Sequence, residues 1–372
     1  MTKPHAKLIT KERSLAYRGH QHQEFKDRLA NDAKHRQVLR LDPKVKEPKQ
    51  FMLDKTGRLA GKYRLTRTGG MQLANSLGRG MYQLILDLDS DQDPDINHDS
   101  SPTLLSSTLN SLIRLRKPRI ARHKAIVCDE RNELDGFVAS SYQLVSNEKI
   151  FRHYEQACDL VGKFRFYSAY LSGLEMLVLH MPSDGKPFGL PATESARFQT
   201  GLVLQNSETA GRSLRATLVY MDTITRSWSC APWSREAKVQ HRKGKVFQQK
   251  IMMMGDSLAR IYQNGSKPTQ AYWGNQQSLL NVAQRVRNHA PERLSISDWL
   301  MSQQTKVKQP KSVDSLTRSA LSGVADNLTV KGGGDKPWTP WEVYKALLQE
   351  ADKLPVSKSI ALRQAAGLLL SN

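Results

Sequence analysis

Between Lys163 and Trp228 the chain runs through four stretches, KFRFYSAYL, LEMLVLHM, FQTGLVLQNSE and SLRATLVYMDTITRSW. Each is rich in aromatic and β-branched residues, and Ser172-Gly173, Asp184-Gly185 and Ala210-Gly211 supply turn residues between them. Two strands joined by a short turn pair with each other antiparallel, because a parallel pair needs a crossover of a dozen residues or more. The middle of the chain is therefore expected to form an antiparallel sheet, and the rest must pack on it.

The flanking segments supply helices and further strands. FMLDKTGRLAGKYRLT, punctuated by Gly57 and Gly61, predicts a short hairpin, and TGGMQLANSLGRG a short helix with glycine boundaries. Tyr82 to Asp89 reads as a strand or buried run. Apolar residues at Leu105, Leu109, Leu112 and Ile113, ahead of Pro118, predict a helix from Pro102 to Lys117. Strands follow in HKAIVCDERNELDGFVASSYQLVS, then a helix NEKIFRHYEQACDLVG capped by Ser146 or Asn147. From Val246 the pattern turns helical, KGGGDKP at 331–337 reads as a linker, and 338–372 closes as two helices opening at Thr339 and Pro340. The expected class is α+β, with a central antiparallel sheet flanked by helices and a helical C-terminal region. Residues 1–50 carry 13 Lys/Arg against 6 Asp/Glu with few apolar side chains, so they read as a basic flexible arm ahead of a nucleic-acid-binding core over 51–330.

Charge directs the functional reading. With 56 Lys+Arg against 35 Asp+Glu over 372 residues the net charge is +21, an excess that an anionic partner relieves. Two dense clusters stand out beyond the arm. The first is Arg114, Arg116, Lys117, Arg119, Arg122 and Lys124, without an acid among them. The second, RSWSCAPWSREAKVQHRKGK, sets Trp228 and Trp233 among Arg226, Arg235, Lys238, Arg242, Lys243 and Lys245. Cations that follow phosphates beside flat rings that stack unpaired bases are what single-stranded nucleic acid requires, at about 1 to 3 kcal/mol per stacked base. Lys163 to Tyr170, with alternating aromatics and bases, is a weaker candidate of the same kind, equally consistent with a buried strand. Single-stranded DNA is the expected partner.

Other classes find less support. LSGLEMLVLHM falls short of the roughly 20 apolar residues a spanning helix needs, and the first 20 residues hold no apolar core of a secretory signal, so a cytosolic protein is expected. Cys128, Cys158 and Cys230 fit neither a disulfide framework nor a zinc site, and no metal or cofactor is expected. No GxxxxGK[ST], GxGxxG, GxSxG or HExxH occurs, which points to binding rather than catalysis. The alternative is a metal-dependent nuclease or phosphotransferase at Asp87 and Asp89, in the acidic run DLDSDQDPDINHD, although further grouped carboxylates for two metals are not evident. A binder of RNA or of acidic host proteins is a third reading.

From Phe198 onward, the strand FQTGLVLQ, the Asn206-Ser207 turn, Gly211, a second apolar strand and a basic His-containing segment resemble the central motif of a phage- and plasmid-borne family of unknown function. PWTPWEVYKALLQEA and the Tyr142, Asn147, Glu148 segment are similar to other parts of it. The family brings no catalytic residues; its setting is mobile DNA. In size and basicity the chain also resembles the single-stranded-DNA-binding transcription regulators, of the Drc type, of podoviruses with a virion RNA polymerase. That resemblance implies a place beside a phage or host RNA polymerase, in the host cytoplasm.

Overall fold

The computed structural model describes residues 9–10, 14–42, 44, 47–78, 80–81, 101–161, 164–183, 188–189, 197–209, 214–230, 237–239, 340–354 and 356–369. Most of the described N-terminal segment is folded, which corrects the expectation of a flexible arm. It forms β1 (Ile9–Thr10), β2 (Ser14–Arg18), α1 (His22–Lys34) and β3 (Arg36–Arg40). Its few apolar residues are placed where they count: Tyr17 points inward from β2, and Phe25 and Leu29, four apart on α1, are buried. A low apolar fraction hides such spacing, because an anchoring helix needs only one apolar stripe.

The smaller sheet follows. After short antiparallel bridges at Leu53 to Leu59 and Leu59 to Tyr63 come β4 (Arg64–Thr66) and α2 (Arg67–Leu77). Then come α3 (Ser101–Leu115), the single turn α4 (Lys117–Ile120), β5 (His123–Cys128) and β6 (Glu133–Ala139). The strand order is β1-β4-β6-β5-β3, with β4 parallel to both its neighbours and the other pairs antiparallel. Thr66 caps α2, its Oγ1 accepting from Gly69 N at 3.1 Å and donating to the Leu134 carbonyl at 2.7 Å. A Cβ at Gly69 would lie 2.2 Å from that carbonyl, so only glycine lets α2 come this close to β6. Leu65, Leu73, Leu109, Ile113, Ile120 and Leu134 belong to the core under α2, α3 and α4.

After α5 (Asn147–Val161) the four central runs become β7 (Phe164–Ser172), β8 (Glu175–Pro182), β10 (Arg197–Ser207) and β11 (Leu214–Asp222), with β9 (Phe188–Gly189), β12 (Trp228–Cys230) and β13 (Ala237–Val239) as short additions. The order is β12-β11-β10-β8-β7-β2, antiparallel throughout, with β9 on β10 and β13 on β11. The expected central antiparallel sheet is thus present, and the fold is α+β. One face packs Phe25, Ile150, Phe151 and Tyr154 of α1 and α5 against Phe166, Val178 and Leu202. The other packs Leu179, Val203, Val219 and Trp228 against Ile360 of the C-terminal pair α6 (Pro340–Lys353) and α7 (Val356–Leu369). Cover on both faces explains why β8 is buried without alternation from Met176 to Pro182.

A polar seam joins the sheets. Arg36 of β3 pairs with Glu208 just past β10, and Glu208 also accepts from the backbone N–H of Asn147 at the start of α5. Asn206 Nδ2 donates to Asn147 Oδ1 at 2.7 Å, and Gln72 Nε2 to the Thr209 carbonyl at 2.5 Å. Buried charges tolerate few alternative partners, so the seam fixes how the sheets meet more than it adds stability. Among the described residues no helix is long and apolar enough to cross a membrane.

Candidate nucleic-acid interface

The first cationic cluster is set out by the way α3 ends. Leu109 and Ile113 anchor the helix, and Ile120, seven residues on, anchors α4. With those side chains inward, Arg114, Arg116, Arg119 and Arg122 face solvent and Lys117 is half-buried. The chain is braced at this point. The Arg122 carbonyl accepts from Ser140 N at 2.8 Å, His123 Nδ1 lies 2.9 Å from the Arg119 carbonyl, and the His123 ring stacks on Phe137 at 5.2 Å and 8°. None of these five cations enters an ion pair among the described residues. Leu115 stands 76% exposed in their midst.

Two changes to the sequence-based set arise here. Lys124 is buried, its ammonium donating to the Tyr142 carbonyl at 2.6 Å, so this cation serves the interior and not a phosphate. The strand is buried without alternation from Lys124 to Cys128, which the run of positive charge concealed. Arg40, by contrast, was hidden within the supposed arm. It is exposed at the end of β3, opposite Lys124 in the register, and adds a sixth cation at this end of the smaller sheet.

The second cluster does not join the first among the described residues. Arg226 is exposed in the turn between β11 and β12, held at φ 60° with its N–H donating to the Asp222 carbonyl at 2.8 Å. That turn lies at the outer side of the larger sheet, whereas the first cluster lies on the smaller one. Trp228 is 7% exposed, with the Arg363 guanidinium 4.2 Å over its ring. The expected stacking ring is therefore covered by the C-terminal helices and is not open to a base. Lys238 lies in β13, opposite Arg215. Trp233, Arg235, Arg242, Lys243 and Lys245 lie outside the described residues, as do Asp87 and Asp89. The aromatics of Lys163 to Tyr170 are core: Phe164 and Phe166 are buried, and Tyr167 and Tyr170 pack on the opposite face.

Asp32, Cys128 and Glu130 bring potential metal ligands within 4.8 Å of one another. Their surroundings already hold cations. Arg131 reaches Asp32 at 2.6 Å, Glu133 at 2.9 Å and Asp135 at 2.8 Å, and Arg28 reaches Asp32 at 3.0 Å. Burial, the largest influence on it, raises the Cys128 thiol pKa above its ordinary value and disfavours the thiolate a metal needs. The chemistry of the group fits guanidinium rather than a metal ion. Compared with known proteins, the chain matches no family model, no curated protein and no solved structure, so neither the resemblance read from its short motifs nor the one read from size and basicity adds a residue to this interface.

Proposed function

We propose that the protein is a non-enzymatic binder of nucleic acid, single-stranded DNA in the first place, and that Arg114, Arg116, Lys117, Arg119, Arg122 and Arg40 carry the phosphate contacts. The observation that carries this reading is the first five of these cations, turned from the core without an ion pair among the described residues. The net charge of +21 supports it, since the molecule gains by taking up an anion wherever its cations are unpaired. With Trp228 covered, the weight falls on phosphates, and sequence tolerance follows. A role in transcription, replication or recombination, holding open DNA beside a phage or host RNA polymerase, is the setting the resemblance implies.

The test is a titration of a labelled single-stranded oligonucleotide at two ionic strengths, with the triple variant Arg116→Glu, Arg119→Glu, Arg122→Glu as control. Affinity is expected to fall with salt by a logarithmic slope of roughly 0.7 per phosphate contact, and the variant to lose both affinity and slope. Absence of binding at low salt, or an unchanged triple variant, overturns the reading. A competition in which duplex or RNA displaces the oligonucleotide at lower concentration reassigns the ligand.

A further inference from the structure

A second site lies between α1, α5 and the β7 and β8 end of the larger sheet. A pocket of about 460 Å³ opens there, within the range of small-molecule sites. Its walls are aromatic: Phe164 and Phe166 line it, and the His22 ring stacks on Phe166 at 4.5 Å and 16°. The one carboxylate deep enough to repel an anion, Glu155, is engaged at both oxygens, by His22 Nε2 at 2.6 Å and by Lys26 Nζ at 3.0 Å. Lys26, Asp159 and Arg165 also line the pocket, the last two exposed.

His180 lines the same pocket from β8. It is 3% exposed, beside Phe166 and Leu202 in the register, with the rings of Phe151, Tyr154 and Phe166 about it. Its Nδ1 is buried with no hydrogen-bond partner. Met176 and Val178 on the same core-facing side of β8 are apolar, so packing alone does not call for an imidazole here. Burial, with His22 and Lys26 nearby, lowers its pKa to about 3, so the ring is neutral and can donate or accept according to tautomer. An unpaired polar atom in such a place is costly, and a ligand that brings its own partner removes the cost.

We propose that this pocket binds a nucleotide. The edge of the base, which carries donors and acceptors in one plane, meets His180; the flat ring lies along Phe164, beside the stacked pair of His22 and Phe166; Arg165 receives the phosphate and Asp159 a sugar hydroxyl. Stacking and a bidirectional hydrogen-bonding group together select a heteroaromatic ring over an aliphatic acid. Cys158, also in the lining, has its thiol pKa pushed up to about 12 by burial, so this thiol stays protonated and is no nucleophile. The nucleotide is either free or an unstacked residue of a strand.

The experiment is a calorimetric titration of the full chain and variants with AMP, CMP and adenosine, then with a short single-stranded oligonucleotide. His180→Phe is expected to weaken nucleotide binding by about tenfold or more and His180→Gln to restore much of it. Gly19→Leu is the independent variant: a Cβ there first meets the Phe166 carbonyl at 3.5 Å, an ordinary contact, so a side chain can fill the pocket from the rim even if His180→Phe does not fold. Adenosine should bind more weakly than AMP. Binding by the oligonucleotide but not by AMP, lost in Gly19→Leu, assigns the base to a strand. No binding of any probe at millimolar concentration, or equal affinity in the wild type and Gly19→Leu, overturns the proposal. The triple variant of the cationic cluster should retain AMP binding, so failure at one site is distinguishable from failure at the other.

Discussion

The guanidinium of Arg363 lies 4.2 Å over the indole of Trp228, while its Nη1 donates to the Trp228 carbonyl at 2.8 Å and its Nη2 meets Asp352 Oδ1 at 2.5 Å. One side chain of α7 thus holds β12, the edge strand of the larger sheet, and α6 together. Arg363→Ala is expected to lower unfolding stability by about 2 to 4 kcal/mol, the sum of a desolvated cation–π contact and a charged hydrogen bond. Chemical denaturation measures the loss, and tryptophan quenching by acrylamide should rise in the native state.

If the interface is built from the exposed cations, two residues of the sequence-based set should be silent in binding. Trp228→Phe should leave oligonucleotide affinity within about twofold, whereas a stacking ring would cost about 1 to 3 kcal/mol. Lys124→Met should leave affinity equally unchanged and lower stability by about 1 to 3 kcal/mol, because the Tyr142 carbonyl loses its ammonium donor. A titration and a thermal melt on each variant separate the two effects.

Gly367 of α7 marks a close approach of the C-terminal pair to the sheet. A Cβ there would lie 1.9 Å from the carbonyl oxygen of Cys230, a backbone atom that cannot rotate away. Gly367→Ala is expected to cost about 3 kcal/mol through displacement of α7. Limited proteolysis should then cut at the C-terminal helices before the rest of the chain, and an unchanged digestion pattern would contradict the packing described.

The pH dependence of stability carries the mark of His180. Its folded pKa, about 3, lies below the 6.5 of the unfolded chain, so its contribution is complete above pH 6.5 and is lost as pH falls toward 3. Each unit in that window costs about 1.4 kcal/mol. His22 and Lys26 of α1 add to the effect, while Glu155 and Asp159 of α5 line the same pocket. Asp135 acts in the opposite sense. Burial outweighs the pull of Arg131 and Arg36 and raises its pKa from 3.8 to about 6, so its share is complete below pH 3.8 and is lost as pH rises to 6. His180→Phe should flatten the acid limb, with the difference in denaturation midpoint growing as pH falls below 6.5; a constant offset would show that the imidazole does not titrate as described.

Periodicity along the chain was enough to find the four long strands of the eight-stranded larger sheet, the helices α2, α3 and α5, and the closing pair. Each of those elements carries its own apolar stripe or run, and a stripe is a local property. The basic run 114–122 was legible for the same reason, since charges five to a helix end announce themselves. What the sequence by itself determined is therefore the set of elements and the presence of unpaired charge. Only tertiary structure decided that Tyr17, Phe25 and Leu29 would anchor a segment that looks disordered by composition, that Lys124 would turn inward, and that α7 would cover Trp228. It also decided that His180 would line one pocket with His22 and Lys26, residues far from it in the chain. Those outcomes depend on which face of an element meets which neighbour, and that is settled by contacts between residues far apart in sequence, where the free energy of packing resides.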